Sequence, residues 1–523
     1  MSLQFITGNS GNGKTKYLFN RIVKEAKANP RDNYLVIVPE QFTMQTQRQL
    51  VDLSENKAIM NIDVLSFKRL AYRVFDELGI TNLTVLEETG KNLVLRKLAA
   101  QEADKLGVIG RNLNRIGYIS EVKSLLSELV QYNISPEELG RYIASGRLSD
   151  TLSDKLKDVL VLYEAFEKFM QDKYITAEEI LNELSNVAEE SAILRNSVIA
   201  FDEFTGFTPI QNQLIKKLFV ISKKIYVTLT IDCREDIFKS RGMQELFDMP
   251  KRTVKSLTEM AAFYGIEVEE PIILDKNYRL AENEELSFME QQLFRKRRCS
   301  FEKVPKHIHI DCLRDPKQEL TKIARRINEL VRNENLRYRD IAIVTGDVNI
   351  YAGYVREIFD KYNIPYFIDA TQEILFHPFI EFIRSIPDIA AQNFSADAVF
   401  RFLRCGFSEL LDSEIDVLEN YVLACGVRGK SAWDKKWVRL PKHKAGYDLE
   451  LLNQSREYIM ELLKPVYQVF SDKKSTVKDY VLAIYKLIVL LDIPDKLAKK
   501  EQALLDAGDQ TASKEYGQIY KIV

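Results

Sequence analysis

Residues 8–15 constrain the fold of this chain more than any other part of its sequence. They read GNSGNGKT and match the pattern G-x-x-x-x-G-K-[ST]. An apolar run at residues 3–6 precedes them, and apolar residues at helical spacing follow over residues 16–23. Glycines let the backbone turn its N–H groups around a phosphate, and a helix N-terminus favours negative charge. The pattern predicts a strand, a phosphate-binding loop (P-loop) and a helix, in that order.

ATP and Mg²⁺ are the ligands that this loop predicts. Lys14 can reach the β- and γ-phosphates, and Thr15 can supply a hydroxyl to the metal ion. A glycine-rich turn without nucleotide is the alternative, but strand, loop, Lys-Thr pair and helix all occur in the required order. The predicted nucleotide-binding residues of the loop are Gly8, Asn9, Ser10, Gly11, Asn12, Gly13, Lys14 and Thr15.

An acidic pair follows a second apolar run, at residues 198–201. Asp202 and Glu203 stand where a P-loop enzyme needs carboxylates opposite its lysine. We assign Asp202, with Thr15, to Mg²⁺ and Glu203 to activation of the attacking water, so the predicted catalytic residues are Lys14, Asp202 and Glu203. An ordinary acidic loop after a strand is the alternative for the pair taken alone.

Apolar runs alternate with helical segments along much of the chain, which predicts an α/β fold with doubly wound parallel sheets and large helical insertions. A second set of strands is predicted at residues 307–310, 341–344 and 364–368. The predicted organisation is a first α/β domain in two parts (1–82 and 196–300) separated by a helical insertion (83–195), then the start of a second α/β domain (301–375) and a second insertion (376–523). Residues 515–523 read like the middle of an amphipathic segment, so we expect the chain to be a fragment of a longer one.

Composition narrows the class of protein. The formal net charge of −2 gives no overall attraction to nucleic acid, so any DNA contact must come from local patches. The five cysteines are scattered without a C-x-x-C pair, which favours a reduced interior over a disulfide or zinc framework. No signal sequence or membrane-spanning apolar run is evident, so a cytoplasmic protein without membrane contact is predicted.

Several stretches resemble the motifs of superfamily 1 helicases, whose P-loop domains are RecA-like. They are VPEQFT at 38–43, SFKRLAYR at 66–73, DEFTGFTPIQ at 202–211 and KNYR at 276–279. The resemblance implies that Arg279 reaches the γ-phosphate. The usual Gly-Asp-x-x-Gln sensor is missing after residues 227–232, and no adenine-reading glutamine precedes the P-loop. ATP binding is therefore better supported than efficient hydrolysis coupled to DNA.

Single-stranded DNA contacts are predicted next to these motifs. Gln41 and Thr43 follow one strand, and Phe67, Arg69 and Tyr72 follow the next, where α/β sheets present their ligand-binding loops. Aromatic rings can stack on bases and arginine can contact phosphates, and Phe207 can join them. The alternative is that Phe67 and Tyr72 are core residues and Arg69 is a solvated charge. The family resemblance favours the DNA-binding interpretation.

The motifs together, in order along the whole chain, resemble the AddB (RexB) family, the B subunits of a bacterial ATP-dependent helicase/nuclease. The resemblance implies a complex with the partner subunit AddA that processes DNA double-strand breaks for homologous recombination, with AddB scanning single-stranded DNA for a Chi sequence. It also implies an exonuclease domain with a 4Fe–4S cluster in the C-terminal half of the family, and no residue of this chain matches that pattern. A self-sufficient superfamily 1 helicase and a non-motor P-loop protein are the alternatives.

Overall fold

The computed structural model describes residues 1–81, 84–108, 110, 116–146, 148–171, 173–295, 299–369, 374–441 and 446–523. These residues form two units, Met1–Ile310 and Asp311–Val523. In this described part of the chain, no helix combines the length and the hydropathy needed to cross a lipid bilayer.

The first unit is built on parallel strands. In chain order they are β1 (Ser2–Gly8), β2 (Tyr34–Ile37), β3 (Ile62–Leu65), β4 (Val85–Leu86), β5 (Ile175–Thr176), β6 (Val198–Phe201), β7 (Lys224–Thr230), β8 (Glu267–Val268) and β9 (Ile272–Leu274). The main sheet has the order β3-β2-β6-β7-β1-β8, and β9 also pairs with β1. The pairs formed in this sheet are all parallel, and β4 and β5 make a separate parallel pair.

Helices connect these strands, and several begin at residues that the sequence marks as caps. The helices are α1 (Lys14–Ala28), α2 (Thr43–Leu53), α3 (Phe67–Leu78), α4 (Glu88–Gln101), α5 (Ile116–Gln131), α6 (Pro136–Ala144), α7 (Asp150–Met170), α8 (Ile180–Val187), α9 (Pro209–Ile221), α10 (Asp248–Phe263) and α11 (Glu284–Gln292). Ser66 Oγ accepts a hydrogen bond from the backbone N–H of Arg69 and starts α3. Thr208 and Gln211 form a reciprocal capping box at α9.

Side chains of the sheet alternate between two apolar cores. On β2, Leu35 and Ile37 enter one core, whereas Tyr34 and Val36 enter the other. The first core packs against α3, α8, α9 and α10, and the second packs against α1 and α2. Because helices cover both faces, the central strands β2 and β6 are apolar throughout. The predicted α/β fold with a mostly parallel sheet is confirmed.

The helical segment between β3 and β6 has a core of its own. That core runs from Leu95 on α4 to Met170 on α7. By contrast, α8 places Ile180 and Leu184 in the core of the main sheet. Helix α8 therefore packs with the sheet, although it lies within the predicted insertion at 83–195.

The second unit is helical in the residues described. Its helices are α12 (Pro316–Asn333), α13 (Val348–Lys361), α14 (Pro378–Ala391), α15 (Ala396–Leu403), α16 (Asp412–Cys425), α17 (Lys430–Asp434), α18 (Leu449–Ser471), α19 (Val477–Leu490), α20 (Ile493–Asp506) and α21 (Gln510–Ile522). Helices α14 to α21 share one large core that includes the buried Phe382 and Trp433. Helices α12 and α13 pack around a smaller core that includes Leu320 and Ile358.

The three strands predicted at 307–310, 341–344 and 364–368 are not formed in the described residues, and these predictions are wrong. Ile341 has an extended backbone, with φ −112° and ψ 130°, yet no strand pairs with its segment in the described part of the chain. Val344 remains 93% exposed. A strand is defined by its hydrogen bonds to a neighbour, which an apolar pattern alone does not supply.

A buried histidine caps the N-terminus of α14. His377 Nδ1 accepts a hydrogen bond from the backbone N–H of Phe379 at 3.1 Å, and its ring centroid lies 4.5 Å from that of Tyr516 on α21. Burial lowers the pKa of His377, and the charge of Glu515 partly opposes this effect. Because Nδ1 can accept a hydrogen bond only while unprotonated, protonation removes the cap.

We expect the unfolding free energy to fall as the pH drops below about 6.5, the ordinary pKa of histidine. The unfolded chain takes up the proton there, whereas the folded chain resists it, so the contribution is complete above this pH and is lost below it. His377→Asn should flatten this part of the pH profile, because the amide oxygen keeps a cap worth about 1 kcal/mol without titrating. Thermal unfolding across this pH range measures the effect, with the exposed His309→Asn as control. An unchanged profile in His377→Asn contradicts the prediction.

Candidate functional site

The predicted site residues meet at one edge of the main sheet. Because its strands are parallel, the segments that follow β1, β2, β3, β6 and β7 all leave at the carboxyl edge. The P-loop follows β1, and Asp202 and Glu203 follow β6. This common edge brings the P-loop and the acidic pair together.

The P-loop turns from β1 into α1 with its lysine drawn inward. Gly11 and Gly13 have φ of 89° and 79°, in the left-handed region that glycine adopts without strain. Lys14 Nζ donates to the carbonyl oxygens of Gly8 and Asn9, at 3.1 and 3.0 Å. Burial lowers the pKa of Lys14, while the charges of the acidic pair oppose this effect. The ammonium therefore lies in the mouth of the loop, where a phosphate can replace its carbonyl partners.

A cavity of about 690 Å³ opens over the P-loop. That volume is within the range of sites for small molecules and cofactors. Its lining includes Lys14, Thr15, Asp202, Glu203, Tyr278 and Arg279. The cavity thus joins the P-loop, the acidic pair and the arginine that the sequence predicts at the γ-phosphate.

Asp202 is suited to hold a metal ion together with Thr15. It is only 1% exposed, and burial raises its pKa. Its Oδ1 lies 3.3 Å from Thr15 Oγ1 and accepts a hydrogen bond from Thr228, whereas its Oδ2 has no hydrogen-bond partner in the described residues. A buried carboxylate oxygen without a partner is costly unless a cation is near it. Oxygen ligands of this kind fit Mg²⁺, which also keeps several waters.

Glu203 is held in an uncommon backbone conformation. Its φ is 64°, in the left-handed region that costs an L-residue about 1–2 kcal/mol. The side chain is exposed, and its Oε1 lies 3.4 Å from Thr15 Oγ1. In this conformation the Glu203 carboxylate lies beside the P-loop hydroxyl of Thr15.

A segment that we call the strap, residues 274–279, packs against the glycines of the P-loop. A Cβ on Gly8 would lie 2.5 Å from the carbonyl oxygen of Leu274, and one on Gly13 would lie 3.6 Å from the ring of Tyr278. The backbone N–H of Tyr278 also donates to the carbonyl of Gly11 at 3.0 Å. Gly8 therefore makes room for the strap, whereas a Cβ on Gly13 would make only ordinary van der Waals contact with it.

Asn9 attaches the loop to the segment after β7. Its Oδ1 accepts from the backbone N–H of Cys233 at 2.9 Å, and its Nδ2 donates to Glu290 Oε1 at 2.7 Å. The neighbouring Asp232 is buried, which favours a higher pKa, but hydrogen bonds from Arg234 and nearby positive charge hold that pKa at about 2. The segment that follows β7 is therefore fixed by the charged pair of Asp232 and Arg234.

The predicted DNA contacts divide into exposed and buried groups. Gln41, Arg69 and Tyr72 are exposed, and Tyr72 is 40% accessible. Thr43 is buried, and its hydroxyl donates to the carbonyl of Glu40. The exposed residues can reach a ligand directly, whereas the hydroxyl of the buried Thr43 is already bonded to Glu40.

Phe67 and Phe207 belong to an aromatic cluster behind this surface. Phe67 is 7% exposed, and its ring lies 5.8 Å from Phe201, 5.6 Å from Phe204 and 6.4 Å from Phe207. Phe207 is half-buried. The structure thus places Phe67 as the alternative interpretation of the sequence expects, and its stacking on bases stays a prediction.

Sequence reasoning missed several residues of the cavity. Thr228 and Thr230 come from β7, the strand between the P-loop strand and the acidic strand, and Gln49 and Asp52 come from α2. No local motif marks these four positions. Tyr278 also lines the cavity and was within reach, because it adjoins Arg279 in the KNYR motif.

Comparisons with known proteins agree on one family. The family model described as "ADDB, N-terminal" matches residues 5–290. The chain is 38% identical over its whole length to the B subunit of the ATP-dependent helicase/deoxyribonuclease of Lachnoclostridium phytofermentans and covers 46% of that protein. Proteins of the same name from Clostridium novyi and Clostridioides difficile are 31% and 32% identical over the whole chain, which covers 45% and 46% of their lengths. The chain spans about half the length of the curated relatives it matches.

We expect Glu203→Gly to raise the unfolding free energy by up to about 1 kcal/mol, because glycine adopts the left-handed conformation without strain. The matched control is Glu259→Gly in the middle of α10, where the same substitution should cost about 1 kcal/mol of helix stability. Chemical denaturation of both variants measures the difference. Equal destabilisation at the two positions would show that Glu203 carries no backbone strain.

Proposed function

The chain belongs to the AddB N-terminal family, as its motifs predict, and we propose that it is the ATP-binding, DNA-scanning part of the B chain of a helicase/deoxyribonuclease. One observation carries this proposal. Lys14 and Thr15 of the P-loop face the buried Asp202 and the strained Glu203 across a single cavity. The sheet is then a RecA-like domain of the superfamily 1 helicase type.

In this proposal each residue has a distinct role toward ATP. The backbone N–H groups of residues 8–15 and the ammonium of Lys14 bind the phosphates. Thr15 and Asp202 hold Mg²⁺, which when bound neutralises charge on the β- and γ-phosphates. Glu203 orients a water and accepts its proton. Arg279, which lies over Gly11, adds positive charge at the γ-phosphate.

Slow hydrolysis is the expected behaviour of this site. In a superfamily 1 motor a glutamine sensor stands in the segment after the strand that corresponds to β7. Here residues 231–237 of that segment carry Asp232 paired with Arg234 and no glutamine. We therefore propose that ATP serves to hold a conformation that follows a DNA strand, while the partner subunit AddA supplies the motor.

The DNA surface in this proposal is the carboxyl edge of β2 and β3. Gln41, Arg69 and Tyr72 are exposed there and can contact backbone and bases of a single strand, in keeping with scanning for Chi. A groove of about 240 Å³ lies beside them, lined by residues that include Pro39 and Phe67. Break processing for recombination, the exonuclease and its 4Fe–4S cluster are carried over from the family and are assigned to no residue of this chain.

Lys14→Ala should weaken ATP binding by about 10- to 100-fold, because it removes a charge-assisted contact worth about 1.5–3 kcal/mol. The exposed Lys24→Ala on the same helix is the matched control and should bind as the unaltered chain does. Calorimetry with Mg·ATP measures the affinities. Equal binding by the Lys14 variant would refute the nucleotide site. Fast turnover stimulated by single-stranded DNA would instead favour a self-sufficient helicase, and indifference to DNA would favour a non-motor P-loop protein.

Arg69→Ala should weaken binding of a single-stranded oligonucleotide about tenfold. It should also reduce the slope of log affinity against log salt concentration by about one. Tyr72→Ala should weaken binding by a similar factor through lost stacking, with little change in salt dependence. Arg31→Ala is the control, because Arg31 is exposed and precedes β2, at the amino edge of the sheet. Fluorescence anisotropy at several salt concentrations gives the affinities. If Arg31→Ala changes the oligonucleotide affinity and its salt dependence as much as Arg69→Ala does, the proposed DNA surface is wrong.

A further inference from the structure

Asn277 bonds to the P-loop and to Arg279 through one side chain. Its Nδ2 donates to the carbonyl oxygen of Ser10 at 2.9 Å. Its Oδ1 accepts from the backbone N–H groups of Arg279 and Leu280, at 3.1 and 3.0 Å. The same Oδ1 would lie 2.8 Å from a Cβ on Gly11, so it packs directly on the loop. Asn277 thus links the P-loop to the turn that carries Arg279 by hydrogen bonds.

Arg279 is placed to sense the charge of a bound phosphate chain. Its Nη1 lies 3.5 Å from Ser10 Oγ, and its Cβ would lie 2.8 Å from a Cβ on Gly11. Its positive charge contributes to lowering the pKa of Lys14, after the larger effect of burial, so the two cations share one region of the cavity. A triphosphate, with its additional negative charge, gains more from a second cation there than a diphosphate does.

We infer that Asn277 is a positioning residue that sets the preference of this site for nucleoside triphosphate over diphosphate by holding Arg279 against the P-loop. The inference rests on the proposed nucleotide site. Asn277 itself needs no contact with the nucleotide. Its donor fixes the strap to the carbonyl of Ser10, and its acceptor fixes the turn from which Arg279 projects.

Only an amide supplies both the donor for the carbonyl of Ser10 and the acceptor for the backbone N–H groups of the turn. Aspartate keeps an acceptor for the N–H groups of Arg279 and Leu280, but its second oxygen faces the carbonyl of Ser10 and repels it. Alanine removes both the donor and the acceptor. Comparing the two substitutions therefore distinguishes the bonds that close the turn from the bond that attaches it to the P-loop.

A double-mutant cycle tests the inference. Affinities for Mg·ATP and Mg·ADP are measured by calorimetry for the unaltered chain, Asn277→Ala, Arg279→Ala and the double variant. Each single substitution should lower the ratio of ATP to ADP affinity by about tenfold, and the double variant should lower it no further, because Asn277 acts through Arg279. A purely structural role for Asn277 would lower both affinities equally and leave the ratio unchanged.

Two further variants keep the test decisive. Asn277→Asp retains the hydrogen bonds that close the turn, so it should fold as the unaltered chain does. Its ratio of ATP to ADP affinity should still be lowered. Asn56→Ala, at an exposed asparagine, is the control and should change nothing. The inference is overturned if the double variant lowers the ratio of ATP to ADP affinity by the product of the two single effects. It is also overturned if this ratio is unchanged in both Asn277 variants. If ATP binding does not depend on Lys14, the proposed function fails, and the inference fails with it.

Discussion

The parallel hydrogen-bond ladders on the two sides of β7 determine the geometry of the site. On one side Gly8 of β1 is level with Thr230, and on the other Phe201 of β6 is level with Val227. Asp202 therefore leaves its strand beside Thr228 and faces the P-loop. Because each residue advances a strand by about 3.3 Å, a shift of one position would move the carboxylate out of reach of the loop hydroxyl.

The strap adds a second constraint on the glycines of the P-loop. A loop that only cradled phosphate would need open backbone on its inner side. Here Gly11 and Gly13 are also covered from outside, by the turn at Asn277 and by the ring of Tyr278. A Cβ on Gly11 would lie 2.8 Å from Asn277 Oδ1 and would push the strap away, whereas one on Gly13 would make only ordinary contact with Tyr278. The P-loop and the turn that carries Arg279 are consequently joined by direct contacts, through Asn277 and through the backbone N–H of Tyr278.

Helix α3 separates buried from exposed residues within one short motif. Ser66 starts the helix, and the helical period then directs Phe67 and Leu70 into the sheet core while Arg69 and Tyr72 face outward. The motif alone does not distinguish the two groups, since it contains aromatic residues on both faces. Packing decides the matter, because the space behind Phe67 is filled by the rings of Phe201, Phe204 and Phe207.

Interactions within a few residues could be predicted from the chain alone: the P-loop and its helix, and the alternation of apolar strands with helices. These features depend on local backbone geometry and on helical or strand periodicity, which residues close together in the sequence determine. Long-range pairing could not be predicted in the same way. The apolar segment at 341–344 lacks a partner strand among the described residues, and Asn277 meets Ser10 across a sequence separation of 267 residues. Such contacts exist only once the whole sheet has assembled, so tertiary structure alone selected them.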